Sequence, residues 1–209
     1  QKKEKLIPRD QFLNAHGLDD RPLVALLPGS RKQEIKTKFP KMLKVISQFP
    51  NCQFIIAGSE TIDKALYEQF TGGQVRIAFG ATYDILNNAQ AALVTSGTAT
   101  VETALFKVPQ VVCYFPGWLT FQIARRIVSI KFISMVNIIL DKMAVPELIQ
   151  NEMNEKQMVQ ELKTLFSEQK RAQILEDYEL LRKKLGGVGA SRRVAELIAE
   201  DVKEENTPS

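Results

Sequence analysis

An apolar run that ends in a polar, glycine-containing turn and leads directly into a helix occurs twice in this chain. The first run is Leu23–Leu27, followed by Pro28-Gly29-Ser30-Arg31 and then by apolar residues at helical spacing. The second covers residues 91–94, followed closely by Ser96-Gly97-Thr98 and a helix-forming stretch. Strands that are apolar along their whole length are typical of parallel sheets covered by helices on both faces. This feature restricts the chain to an α/β fold.

Strand and helix patterns alternate along the first 114 residues. Strands are predicted at Leu23–Leu27, 53–57, 75–79, 91–94 and Gln110–Tyr114, and helices at 61–70, 83–88 and 99–106. Another helix is predicted from Ser30 to Ile46, with Ser30 and Gln33 forming a capping box. This order predicts a Rossmann-like, doubly wound parallel sheet, which binds ligands beyond the carboxyl ends of its strands.

The rest of the chain is predicted to be mostly helical. We expect an amphipathic helix over 117–130, a loop that carries Val145-Pro146-Glu147-Leu148-Ile149-Gln150, and charged helices over 155–166, 168–185 and 191–204. The predicted units are a lead-in or linker (1–20), a Rossmann-like ligand-binding domain (21–167), carboxyl-terminal helices (168–205) and a disordered tail (206–209).

Composition excludes several classes of function. The net charge of +4 is mild and acidic residues intersperse the basic ones, so no nucleic-acid partner is expected. The single histidine, His16, lies at a predicted helix end before Gly17, so Ser-His and Cys-His catalysis are excluded. Cys52 and Cys113 lack metal-ligand spacing and are expected to be free thiols. Neither a metal site nor a cofactor is predicted.

The first turn contains residues suited to binding a phosphate. Gly29 lets the backbone approach an anion, Ser30 offers a hydroxyl, and Arg31 presents a planar positive fork. The alternative is that Ser30 only caps the helix and Arg31 is solvated. The spacing is not that of a P-loop.

The second turn places Ser96, Gly97 and Thr98 at the positive end of the following helix, where backbone N–H groups bind anions. Glu102, one turn further on, is placed to accept hydrogen bonds from two ribose hydroxyls. The alternative is that Glu102 only interacts favourably with the helix dipole. The stretch is not G-x-G-x-x-G, so a nicotinamide dinucleotide is not indicated.

Four stretches in order carry a resemblance to a known family: Leu27-Pro28-Gly29-Ser30-Arg31, Ser96-Gly97-Thr98-Ala99-Thr100-Val101-Glu102, Val145-Pro146-Glu147-Leu148-Ile149-Gln150 and Gly189-Ala190-Ser191-Arg192-Arg193. The set resembles the lipid-A-disaccharide synthases, which are inverting glycosyltransferases of the GT-B architecture. The resemblance runs from about Phe12 to Ile198. It covers the carboxyl-terminal half of the family, so the general base and the acceptor site are expected outside this chain.

The resemblance implies an activity. The donor is UDP-2,3-diacylglucosamine, the acceptor is 2,3-diacylglucosamine 1-phosphate, and UDP is released without a metal or cofactor. It also implies a cytoplasmic protein, peripheral on the inner membrane of a Gram-negative bacterium. The carboxyl-terminal helices are a candidate homodimer contact, and this half alone is expected to be inactive.

The resemblance also implies roles for individual residues. Arg31 is expected to stabilise the leaving group, and the residues expected to bind the donor are Gly29, Ser30, Arg31, Ser96, Gly97, Thr98, Glu102, Asn137 and Gln150. Asn137 matches the asparagine of a Leu-Pro-Asn motif, although Met135-Val136 precedes it here. Glu147 is a further candidate, with helix capping as its alternative role. Residues 80–86 occupy the place where GT-B proteins bind uracil through backbone contacts.

Two other functions are also consistent with the sequence. One is another GT-B enzyme, such as a UDP-GlcNAc 2-epimerase or a peptidoglycan glycosyltransferase. The other is a Rossmann-like binding domain without catalytic activity, for which failure to bind any UDP-sugar would be the distinguishing observation.

Overall fold

A six-stranded, wholly parallel sheet forms the centre of the computed structural model, which describes residues 6–95, 97–115 and 131–186. The strands are β1 (Leu23–Leu27), β2 (Gln53–Gly58), β3 (Arg76–Phe79), β4 (Ala91–Thr95), β5 (Gln110–Tyr114) and β6 (Glu147–Ile149). Their order across the sheet is β3-β2-β1-β4-β5-β6. The predicted doubly wound parallel sheet is therefore confirmed.

Helices cover both faces of the sheet. The described α-helices are α1 (Arg9–His16), α2 (Lys32–Leu43), α3 (Lys64–Thr71), α4 (Thr82–Asn88), α5 (Thr98–Leu105), α6 (Met135–Leu140), α7 (Glu155–Thr164) and α8 (Glu168–Lys184). Single 3₁₀ turns lie at Ile46–Gln48 and Gln150–Glu152. The predicted helix over 117–130, the helix over 191–204 and the tail over 206–209 lie outside the described residues.

The alternation of side chains along β1 divides the core into two layers. Val24 and Leu26 pack in a cluster with apolar residues of α2, α3, α6, α7 and α8. Leu23, Ala25 and Leu27 belong to the opposite cluster, with residues of α1 and α4. Because successive strand residues point to opposite faces, an all-apolar strand must be covered on both sides. Phe12, within the predicted lead-in, is fully buried in the second cluster.

The strand order reverses beside β1. The chain runs from β1 through β2 to β3 on one side of the sheet and then returns to place β4 on the other side of β1. The turns after β1 and β4 therefore leave neighbouring strands at the same sheet edge and diverge. In open parallel sheets this divergence creates the crevice in which ligands bind.

Two local predictions were wrong. Residues 147–149, predicted as loop, form β6, which pairs in parallel with β5 through Cys113 and Leu148. A three-residue edge strand is too short to show a periodic pattern. The expected capping box at Ser30 is also absent, because extended Arg31 (φ −111°, ψ 138°) is the N-cap of α2 and leaves Ser30 one residue outside the helix.

A buried hydrogen-bond network attaches α8 to the sheet and to α5. The Tyr178 hydroxyl donates to the carbonyl oxygen of Val108 (3.1 Å) and accepts from Gln110 Nε2 (3.1 Å). Gln110 Nε2 also donates to the carbonyl oxygen of Thr100 in α5 (2.8 Å). This network helps to fix the helix that follows the second turn.

The two cysteines are expected to differ in reactivity. Both are free, and burial raises the pKa of the fully buried Cys113 thiol to about 12. Cys52 is only half-buried, and burial raises its pKa as well. Because the thiolate is the reactive form, an aromatic disulfide reagent at pH 8 should modify Cys52 first and Cys113 only when the chain unfolds.

Counting reactive thiols with and without denaturant measures this difference. The Cys52→Ser variant should show no reactive thiol in the folded state and one in denaturant. Two thiols reacting at equal rates in the folded wild-type chain would contradict the prediction.

Candidate functional site

A cavity of about 940 Å³ opens at the carboxyl ends of β1, β2, β4 and β5. It is lined by six of the residues predicted for the site: Gly29, Ser30, Arg31, Gly97, Thr98 and Glu102. Ser96 lies outside the described residues. The turns after β1 and β4, 65 or more residues apart in sequence, thus face one cavity at the point where the strand order reverses.

The first turn depends on glycine. Gly29 adopts φ +103°, and a Cβ atom there would collide with Glu34 Oε2 and lie 3.1 Å from Glu34 Cδ. Ser30 and Arg31 follow with exposed side chains. Arg31 forms no ion pair with any of the described residues, so its guanidinium is available to an anion.

The second turn ends at the N-terminus of α5. Gly97 is the N-cap, with φ +128° and ψ −163°, and Thr98 begins the helix. Thr100 Oγ1 donates to the carbonyl oxygen of Gly97 (2.8 Å), which fixes the turn against the helix. The first N–H groups of a helix have no intrahelical acceptors, and the first two residues of α5, Thr98 and Ala99, line the cavity. Half-buried Glu102 lies one turn further along the cavity wall.

Two charged residues that were not predicted also line the cavity. Glu34 Oε1 and Lys38 Nζ, one turn apart on α2, form an ion pair of 3.1 Å. Lys38 is only 4% exposed, and its ammonium lies 5.7 Å from the ring centroid of Tyr114. In sequence the pair looks like an ordinary surface i,i+4 pair. The only signal was the position of Lys38, seven residues and therefore two turns after Arg31.

The region expected to bind a base reaches the same cavity. Thr82, at the start of α4, lines the cavity together with Gly58, the last residue of β2, and Ser59, which follows it. This is the part of the predicted stretch 80–86 that the fold brings to the site.

Asn137 does not line the cavity. It is fully buried, and its Oδ1 accepts from the backbone N–H groups of Ala144 (2.9 Å) and Val145 (3.0 Å). Its Nδ2 donates to the Val145 carbonyl oxygen (2.8 Å) and to Glu147 Oε1 (2.7 Å). These bonds use the full capacity of the amide. The structure therefore gives Asn137 a structural role in joining α6 to β6, and its position does not support the predicted ligand contact.

Glu147 and Gln150 flank the same strand, β6. The Glu147 carboxylate accepts from the backbone N–H groups of Ile133 (2.9 Å) and Ser134 (2.8 Å), so the capping alternative describes its contacts. Gln150 has φ +52° and directly follows Ile149, which pairs with the cavity residue Tyr114. Gln150 thus lies near the cavity but does not line it.

The single histidine of the chain lies outside the candidate site. His16 ends α1 beside the left-handed Gly17 (φ 60°), as predicted, and burial lowers the pKa of its imidazole. It does not line the cavity.

Across residues 6–95, 97–115 and 131–186, no cluster of three His, Cys, Asp or Glu side chains is placed to bind a metal ion. None of the helices in these segments has the length and apolar character needed to cross a membrane.

Sequence comparison links the chain to one family. The model of the lipid-A-disaccharide synthetase family matches residues 3–202. A lipid-A-disaccharide synthase of Syntrophus aciditrophicus is 39% identical over 197 residues, covering 90% of this chain and 51% of the relative. A lipid-A-disaccharide synthase of Gloeothece citriformis is 38% identical over 194 residues, covering 88% of this chain and 50% of the relative. The chain therefore spans about half the length of the curated relatives it matches.

Structural comparison agrees with the fold. Spinosyn rhamnosyltransferase SpnG superposes with a TM-score of 0.56 at 17% identity, covering 85% of this chain and 45% of that protein. A Listeria monocytogenes protein, named as a candidate UDP-N-acetylglucosamine 2-epimerase, gives 0.59 at 13% identity, covering 100% and 50%. At these identities the likeness establishes the fold, one half of the GT-B architecture. The match of the family model over residues 3–202 shows that the chain belongs to the lipid-A-disaccharide synthetase family.

Proposed function

We propose that this chain is the donor-binding half of a lipid-A-disaccharide synthase. The reaction is transfer of 2,3-diacylglucosamine from its UDP ester to 2,3-diacylglucosamine 1-phosphate, with release of UDP. One observation carries the proposal: in a chain of this family, the two turns predicted to bind phosphate line a single cavity at the reversal of strand order. Family membership favours this reaction over those of other GT-B enzymes.

The cavity offers a partner for each part of UDP. The diphosphate lies between Gly29-Ser30-Arg31 and the N-terminus of α5, with Ser96, Gly97 and Thr98 on the second side. Glu102 accepts hydrogen bonds from the ribose hydroxyls, and the uracil lies toward Thr82. The volume of about 940 Å³ accommodates a nucleotide-sugar head group.

The proposed chemistry needs stabilisation of the leaving group. The bond between the sugar carbon C1 and the diphosphate oxygen breaks while an acceptor hydroxyl attacks from the opposite face. Negative charge then grows on UDP, where the Arg31 guanidinium and the positive end of α5 oppose it. Preorganised donors of this kind are worth a rate factor on the order of 10² to 10³ each.

The remaining parts of the activity are assigned outside this chain. The general base and acceptor site belong to the portion of the relatives that the chain does not match, so the 209-residue chain is expected to bind but not to transfer. The acylated substrates place the whole protein on the cytoplasmic face of the inner membrane of a Gram-negative cell. A homodimer formed through the carboxyl-terminal helices is part of the same proposal.

Titration with UDP tests the binding role directly. Amide chemical shifts of residues 29–31 and 97–102 should move, and uridine should bind more weakly because it lacks the diphosphate. Arg31→Ala is expected to weaken UDP binding about tenfold, since a charge-assisted hydrogen bond is worth about 1.5 kcal/mol or more.

Arg182→Ala is a matched control. It removes the same charge from the exposed face of α8 and should leave UDP affinity unchanged. If UDP moved none of the amides of the two turns, the chain would not be a UDP-binding half. If Arg31→Ala bound UDP with unchanged affinity, Arg31 would have no role in binding, but the proposed function would stand.

A further inference from the structure

Lys38 is a buried cation in the wall of the cavity. Its side chain is 5% exposed, while that of its partner Glu34 is 25% exposed. Burying an ammonium group costs free energy unless its charge and its N–H groups find partners. A role in helix stability alone would be met equally well by a pair in solvent, such as Lys64 and Glu68 on α3.

The ammonium of Lys38 has unused hydrogen-bonding capacity. It has three N–H donors, and among the described residues only Glu34 Oε1 accepts from it, at 3.1 Å. The ring of Tyr114, 5.7 Å away, adds a cation–π contact but no oxygen acceptor. Since Lys38 lines the cavity, a ligand oxygen is the natural acceptor for the other donors.

The position of Lys38 on α2 identifies which part of a ligand it faces. Seven residues separate Lys38 from Arg31, which is two helical turns or about 10 Å along one face. The side chain reaches back along the helix to Glu34 Oε1, and the Glu34 carboxylate lies against Gly29. The ammonium is therefore beside the first turn, within reach of a phosphate bound there.

We propose that Lys38 is a ligand-binding residue of this site that donates to a phosphate oxygen, with Glu34 and Tyr114 positioning its ammonium. The inference rests on the proposed function. The oxygen belongs to the diphosphate of the donor, because the acceptor site is assigned outside this chain. Glu34 holds the cation in place when no anion is bound and contributes a negative charge that opposes anion binding.

Two substitutions that are expected to change ligand affinity in opposite directions test this role. Lys38→Met keeps the stem and removes the charge, so affinity for the phosphate ligand should fall about tenfold. Glu34→Gln keeps the shape and removes the opposing carboxylate, so affinity should rise about threefold. If the ion pair were merely structural, both substitutions would break the same pair and change binding in the same direction.

The measurement is calorimetric titration of the 209-residue chain with UDP and, separately, with UMP. Weaker binding of UDP with unchanged binding of UMP by Lys38→Met assigns the oxygen to the β-phosphate. Weaker binding of both assigns it to the α-phosphate. Uridine binding should be unchanged in either case. Lys64→Met, which breaks the exposed pair on α3, is the matched control, and circular dichroism confirms folding.

Two results would overturn the inference. If wild type, Lys38→Met and Lys64→Met bind both ligands equally, Lys38 is not a ligand-binding residue, while the proposed function stands. If the wild-type chain does not bind UDP, the proposed function fails and this inference fails with it.

Discussion

Asn137→Ala is expected to lower the free energy of unfolding by about 4 kcal/mol. The substitution removes four hydrogen bonds at a fully buried position. It leaves the N–H groups of Ala144 and Val145 and the carbonyl oxygen of Val145 without their partner. Removing one side of a buried network costs the desolvation of every group left behind. Urea denaturation followed by circular dichroism measures the change.

Asn154→Ala provides a matched control for this large effect. Asn154 is also an asparagine bonded to the backbone, but it is the exposed N-cap of α7 and accepts from the N–H of Gln157 (3.1 Å). Loss of such a cap costs about 1 kcal/mol. Equal losses in the two variants would show that the Asn137 network does not hold α6 to β6.

The second large effect is expected at the first turn. Gly29→Ala should lower stability by about 2 kcal/mol, because an alanine at φ +103° is strained and its Cβ would collide with Glu34. Glu34 would then have to leave Lys38, and the turn would move relative to α5. We expect UDP affinity to fall by a factor on the order of 30, which corresponds to about 2 kcal/mol.

Gly72→Ala is a control that separates the effect of backbone strain on stability from an effect on UDP binding. Gly72 has φ +56° at the C-terminal cap of α3, and a Cβ there would meet nothing within 4 Å. This variant should lose about 1 kcal/mol of stability and keep its UDP affinity. If Gly29→Ala behaved the same way in calorimetry and denaturation, the first turn would have no part in binding.

The fold could be predicted from sequence because its signals are local. Each central strand is a short apolar run, and each following helix repeats apolar residues every three or four positions. The predicted bounds of Leu23–Leu27 and Gln110–Tyr114 match the strands β1 and β5. The sequence predicts a loop where the edge strand β6 lies, because three residues are too few to show a periodic pattern. The pairing of β6 with β5 is also a long-range contact, which no local pattern reveals.

The residues that line the cavity could be predicted in part, because several of them lie in the turns that follow the predicted strands. Gly29, Arg31 and Gly97 lie in turns that follow apolar strands, and Glu102 lies one turn into the helix after the second of them, so the parallel sheet carries them to one edge. Asn137 was assigned to the ligand from a motif. Its amide is instead fully bonded within the protein, which no local pattern reveals.

The sequence by itself determined the α/β alternation, the two glycine-containing turns that follow β1 and β4, and the family resemblance, since all of these are encoded in neighbouring residues. Only the tertiary structure decided that both turns line one cavity, that Glu34 and Lys38 face it and that Asn137 does not. These outcomes depend on which residues the strand order brings together across the sheet. Burial and partners are properties of packing, and packing joins positions far apart in the chain.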